Sequence, residues 1–459
     1  MGLATDREKT AHLLRRFGLG ASVEELDFYS EGGYARAVDR LLGESAEEAP
    51  LPDAARFVGA NGRLNPPDAV AWWVVRLLGT RRVLREKLTV FWHNHFATSV
   101  VKVGAAPLMV AQIETLRRLA LGPFEDLLLA LSRDPAMVVW LDNAQNVKGK
   151  PNENFAREVM ELFTIGIGHY NEEDVREAAR AFTGWSLRRI PGGPLGVSAE
   201  FLYRRAAHDD GEKTVLGTKG DLGGEDVIRL LCQRPETSRR LVRKFFAWFV
   251  RPNPDDATVE RFAKAYRESG LNTLALVRAV VLSPEFLSPQ AERAVVKSPV
   301  DFVIPTLRQL GVGERLAQSL PPEGQLPRRL LLPALAAGQA MRAMGMALLA
   351  PPDVSGWEGG PAWISSATMA ERIRWASTLF GSGGGGRPGL RYPAESLLEA
   401  EATPSAVAAR LFEVFDAPAD PETLSLATQA AATKKGSGTN AMAEAASQVL
   451  FASPAFQYA

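Results

Sequence analysis

The chain has 459 residues, with 53 basic and 53 acidic side chains and a formal net charge of zero. No phosphate-neutralising excess exists, which argues against nucleic acid as a partner. The single cysteine, Cys232, excludes an intramolecular disulfide framework and cysteine-held metal, and no apolar run approaches the ~20 residues of a membrane span.

The first twenty residues, MGLATDREKTAHLLRRFGLG, hold no apolar stretch before a small-residue cleavage site. The residues after Arg15-Arg16 are too polar for a twin-arginine signal. The expected location is cytoplasmic as the chain is written, or outside the cytoplasm if a leader has been removed. Further along, apolar spacings of three and four predict helices at 32–43, 66–79, 81–97, 106–121, 123–133, 152–165 and 172–184. The pattern resumes at 224–233, 236–250, 256–269, 272–282, 298–310 and 365–380. Pro123, Pro235 and Pro299 stand near predicted starts; Gly43, Gly79, Gly122, Gly270 and Gly311 stand near ends. The expected fold is all-α, a multi-helix globular array. Residues 186–224, rich in glycine, read as one long loop, with Lys213–Leu216 before Gly217 as a strand of at most a minor β-hairpin. Residues 349–364 read as an ordered loop carrying Trp357 and Trp363. The run GSGGGGRPG at 381–389 reads as a linker between a helical domain, 1–380, and a C-terminal helical segment, 390–459.

Polar chemistry concentrates in the helix predicted at 152–165. Its apolar stripe is Phe155, Val159, Leu162 and Phe163. Asn154, Glu158 and Glu161 fall on one flank, at i, i+4 and i+7. Two carboxylates beside an apolar surface require a proton, a cation or an arginine between them. Arg157 stands four residues from both Glu153 and Glu161 and can satisfy one of them. The flank is either an acid–base or metal-ligand pair or an ion-paired helix face. In FWHNHF (91–96), residues two apart on a helix point about 200° apart, so His93 and His95 do not share an undistorted helix face. His95 lies in the apolar stripe and His93 lies opposite, with Arg82, Glu86 and Thr89. Asn171 with Asp174 approximates a capping box, and His169 falls in the turn just before it, near the end of the acidic helix. His208-Asp209, before Asp210-Gly211, is a turn by composition and a proton-handling pair if it docks on the acidic helix. No Walker A, dinucleotide fingerprint, H-E-x-x-H or G-x-S-x-G is present, so no nucleotide cofactor is expected.

Several longer motifs occur in a fixed order: HLLRRFGLG (12–20), FWHNHFATS (91–99), LDNAQNVKGKPNENFAREVMELFTIGIGHY (141–170), EEDVREAARAFTGW (172–185), HDDGEKTVLG (208–217), KSPVDF (297–302) and PPDVSGW (351–357). In this the chain resembles the Domain of Unknown Function 1800 family of bacterial proteins. The resemblance implies no reaction. Many members look exported, often by the twin-arginine route, and are often encoded beside another uncharacterised family. This implies a partner protein encoded nearby; the chain departs from the pattern in having no leader. All five histidines fall in or beside these motifs, which shifts the 152–161 element towards a site. The expectation is a metal-dependent enzyme, hydrolase before oxidoreductase, with an acidic, histidine-containing pocket. Glu158, Glu161, His208 and Asp209 are the catalytic candidates. Asn154, Arg157, His169 and Trp357 are the substrate-binding ones. His93, His95, Glu158 and Glu161 are the candidate ligands for zinc, manganese or iron. The alternative is a non-catalytic helical scaffold or binding protein whose acidic helix belongs to a buried ion-pair network. A further possibility is a carbohydrate-binding module using exposed Trp357 and Trp363. A site requires an open pocket with the two glutamates and a histidine; a scaffold requires each carboxylate paired to an arginine.

Overall fold

The computed structural model describes residues 3–43, 51–59, 62–193, 195–381, 390–398, 402–418 and 420–459. The glycine run expected as a linker lies, from residue 382 onward, outside the described residues. The architecture is mostly all-α, with two small antiparallel two-stranded sheets. No helix among the described residues is long and apolar enough to cross a membrane.

The helix Val83–His95 is the axis of the fold and is buried nearly all round. It packs on Ala106–Leu119 and Asp6–Phe17. Two of its charged residues find partners on distant elements. Glu86 pairs with Arg117, and Lys87 pairs with Asp301. The indole of Trp92 donates to the Ala120 carbonyl at 3.0 Å. The C-terminal helices Pro404–Val414, Pro421–Ala432 and Thr439–Ala452 pack on one another, and the last packs on Ser366–Phe380. Ser283-Pro284-Glu285-Phe286 and Ser453-Pro454-Ala455-Phe456 follow two helices in the same way. Ser283 and Ser453 each donate to the carbonyl three residues back, at 2.7 and 2.8 Å, and Phe286 and Phe456 are buried.

The region 186–224 differs from the expected loop. Trp185–Gly193 and Gly196–Tyr203 form a two-stranded antiparallel ribbon. Its base is held by Trp185 edge-on to Phe201, with the Arg133 guanidinium over both rings. Of the glycines that suggest a loop, Gly192, Gly193 and Gly196 fall at the strand ends beside the turn of the ribbon. The smaller hairpin is present as expected, with Lys213–Val215 pairing Thr218–Gly220.

One device recurs at helix ends. The last carbonyls of a helix lack intrahelical donors, and here buried side-chain cations supply them. Arg308 donates to the carbonyls of Leu77, Leu78 and Thr80, closing the helix Pro66–Gly79. Arg16 donates to the carbonyls of Trp248 and Phe249, closing Pro235–Phe249.

Candidate active site

The acidic helix starts as α-helix over Asn154–Glu158 and widens into a π-helical turn over Val159–Phe163. Such turns are rare and occur often at functional sites. The end of the turn presents its carbonyls to three side chains from elsewhere. Arg240 Nε and Lys244 Nζ each donate to the Leu162 carbonyl at 3.4 Å. His95 Nε2 stands 3.2 Å from the Phe163 carbonyl. That oxygen only accepts, so Nε2 carries the hydrogen and Nδ1 accepts from Lys244 at 3.3 Å. Burial, with Lys244 and Arg240 beside it, holds the His95 imidazole neutral, well below its usual range. Burial brings the Lys244 amine down to about 8.

A cleft of about 400 Å³ opens beside this end, lined by Glu161, Leu162, His169, Arg240 and Arg243 among others. Glu161 accepts from the Tyr170 hydroxyl at 2.8 Å, and burial and that carboxylate push the phenol up to about 12. His169 is exposed and makes no hydrogen bond to the described residues, as expected for the turn at this helix end. Glu158 sits one turn back, outside the cleft lining, half-buried and without a hydrogen-bonding or ion-pair partner among the described residues. Burial, then the Glu161 charge, raises its carboxyl. Among the described residues no arginine lies within ion-pair distance of Glu158 or Glu161. Arg157 instead pairs with Glu153 at 3.1 Å and Glu172 at 2.7 Å. Asn154 is exposed, and its amide reaches Asp142 at 3.5 Å. A second cleft, of about 240 Å³, has no carboxylate or histidine in its lining.

The remaining expected site residues lie elsewhere. His93 is not on a solvent face; it is 0% exposed, edge-on to Trp73 and Trp357. The helix that carries it is covered on that side too, by Pro66–Gly79 and the 349–357 loop. Burial lowers its imidazole to about 3. Trp357 and Trp363 are each 5% exposed, so the exposed-tryptophan surface is not formed. Trp357 is a plug. Its backbone N–H donates to Asn94 Oδ1 at 2.7 Å, and a Cβ on Gly356 would stand 2.4 Å from the Asn94 backbone carbonyl oxygen. His208 Nδ1 donates to the Thr183 carbonyl at 2.9 Å. Arg180 grips both Asp209 oxygens, which brings that carboxyl down to about 2. The pair docks on the 172–181 helix, whose Asn171–Asp174 capping box is present as expected. Sequence spacing does not single out Arg240 and Lys244; both belong to Pro235–Phe249.

The donor set does not fit the expected divalent ion. No three His, Cys, Asp or Glu side chains converge on an ion position among the described residues. The free nitrogen of His95 already faces an ammonium, and both nitrogens of His93 are enclosed without polar partners.

Fold and cleft together define an all-α protein with an amphoteric, arginine- and glutamate-lined pocket at a helix end. Residues 12–458 match the family described as Protein of unknown function (DUF1800), and the chain belongs to that family. No curated protein and no solved structure matches it.

Proposed function

We propose that the chain is a hydrolase whose active centre is the cleft at the end of the acidic helix. One observation carries this reading. Glu161 reaches the cleft fixed by Tyr170 but unpaired with any cation among the described residues, in company with Arg240 and His169. A carboxylate in that state is a competent base for water. Arg240 would face the negative charge that develops as water adds. His169, unbonded to the chain around it, would return a proton to the leaving group. Glu158 serves as a positioning residue. Its carboxyl is raised by burial and by the Glu161 charge beside it, and it shapes the electrostatics one turn behind Glu161. His208, Asp209 and Trp357 take no part. The experiment is a panel of chromogenic carboxylic and phosphate esters with wild type, Glu161→Gln and Tyr170→Phe. Glu161→Gln should lose about 10²–10⁴-fold in kcat/KM, with a smaller loss for Tyr170→Phe. Full activity in Glu161→Gln, or none in wild type, sinks the reading.

A scaffold is the second reading, and the spent side chains favour it. Arg157, Arg180, Asp209 and His95 all have structural partners. In that case the same variants change unfolding and nothing else.

A further inference from the structure

We infer that the cleft recognises an oxyanion, a carboxylate or phosphate group of its ligand, through the free edge of Arg240. The inference rests on the reading of this cleft as an active centre and names the class of molecule it takes.

Arg240 and Lys244 stand four residues apart on Pro235–Phe249 and are both largely withdrawn from water. Desolvated cations normally acquire a carboxylate. Among the described residues neither has one within ion-pair distance; their partners are the carbonyl of Leu162 and, for Lys244, the His95 ring. A helix C-terminus offsets only about half a charge, and the Glu161 carboxylate, which accepts from Tyr170, favours the Arg240 cation only from beyond ion-pair distance. The neighbouring arginines are already matched. Arg239 pairs with Glu260, and Arg243 pairs with Asp256 at 2.7 Å. Positive charge without a paired carboxylate is therefore localised at Arg240 and Lys244, offset only in part by Glu161 across the cleft.

The orientation of Arg240 is specific. Its Nε is turned to the helix carbonyl, and its two Nη atoms make no hydrogen bond to the described residues and are not sealed from the cleft. The guanidinium lies over Gly166, where an added Cβ would stand 2.9 Å from Nη1 and 3.7 Å from Cζ. A side chain there would push the fork aside. A glycine that makes room for a guanidinium whose outer edge is unbonded leaves a planar two-donor face, the shape that carboxylate and phosphate oxygens accept. Carboxylate and phosphate share this chemistry, and the experiment separates them.

Titration calorimetry on the full chain would use inorganic phosphate and, separately, succinate. Calorimetry is preferred to thermal shift because phosphate stabilises folded proteins non-specifically. Saturable binding with a Kd of about a millimolar or tighter is expected for at least one of them. Arg240→Gln should weaken it about tenfold or more, and Arg240→Lys, which keeps the charge and loses the fork, by a smaller factor. Arg239→Gln should leave it within about twofold, because that guanidinium is committed to Glu260. Arg240→Lys decides the matter if Arg240→Gln does not fold. Saturation by neither anion, or binding that both Arg240 variants retain, overturns the inference. Repeating the titration on Glu161→Gln separates the two claims. Anion binding that persists in Glu161→Gln while wild type shows no hydrolysis on the ester panel, or Glu161→Gln keeps full activity, defeats only the hydrolase. Hydrolysis without anion binding defeats only the oxyanion.

Discussion

Two helix ends in this molecule are closed by the same device and finished differently. At the end of Pro66–Gly79, Arg308 donates to three carbonyls and is itself neutralised by Glu25 at 2.7 Å. Its charge is matched, and of its nitrogens only Nε is buried without a partner. At the end of the acidic helix, Arg240 and Lys244 donate to a carbonyl but have no carboxylate within ion-pair distance among the described residues, and a cleft stands open beside them. A buried cation that caps a helix is a structural part. The same cation without its counter-charge is a part awaiting a partner. The distinction rests on the final ion pair, and it separates side chains that look alike in the sequence.

The largest expected effect is at the closed end. Arg308→Met leaves three carbonyls without their donor, while Glu25 stays partly in water and keeps its bond from the Ser22 N–H, and should lower the unfolding free energy by about 2–3 kcal/mol. Arg240→Met strands no carboxylate and should cost about 1 kcal/mol. Urea unfolding of the two variants checks both values. Equal losses would erase the contrast between the two ends.

The next effect is a pH dependence confined to the open end. The Lys244 amine is at about 8 in the folded chain, against an ordinary value of 10.5. Between those values the unfolded chain still holds a proton that the folded chain has released. Stability therefore rises with pH across that window, and the deficit is complete below it. The stability of wild type relative to Lys244→Met should rise by on the order of 1–3 kcal/mol from about pH 8 to 10.5. A flat difference means that a carboxylate already neutralises Lys244, as Glu25 does Arg308.

Much of this contrast is half-visible in the sequence. The acidic flank, the His169 turn and the Asn171 cap follow from spacings within one stretch of chain, where periodicity is informative. Arg240 and Lys244 lie far downstream, and only their like charge at i, i+4 beside the stripe Leu241, Val242 and Phe245 hints at an outside acceptor. His93 reads as outward because Glu86 shares its side of the helix. Burial of that side depends on Arg117, a partner that the periodicity of one helix does not reveal. The first helix, Asp6–Phe17, gives no clear apolar period because its first half is polar, although Thr5 and Glu8 form a capping box. The 185–203 ribbon is hidden by the glycines of its turn.

Gly166→Ala comes third in size. Gly166 has a φ of +84° and meets Arg240, whereas Gly168 has a φ of +89° with nothing within 4 Å of its Cβ position. Both substitutions carry backbone strain of about 1 kcal/mol. Gly166→Ala should cost about 0.5 kcal/mol beyond that, because the guanidinium end it displaces is flexible and is held only by the bond to Leu162. Equal losses in chemical unfolding would mean that Arg240 is not held in place by the glycine.

The smallest effect discriminates between the two readings of the acidic helix. Burial and Glu161 raise the Glu158 carboxyl, so its ionised form is disfavoured in the fold. The folded state then holds its proton to a higher pH than the unfolded state. The resulting deficit is absent below the ordinary value of 4.5 and develops as the pH rises past it. Glu158→Gln removes the charge while keeping the shape. It should be neutral in acid and slightly stabilising near pH 7, by less than about 0.5 kcal/mol in urea unfolding. A scaffold predicts the opposite sign, because a paired carboxylate stabilises as it ionises and its loss is felt at neutral pH. Destabilisation at pH 7 by Glu158→Gln would make the acidic helix another closed end, and the cleft beside it incidental.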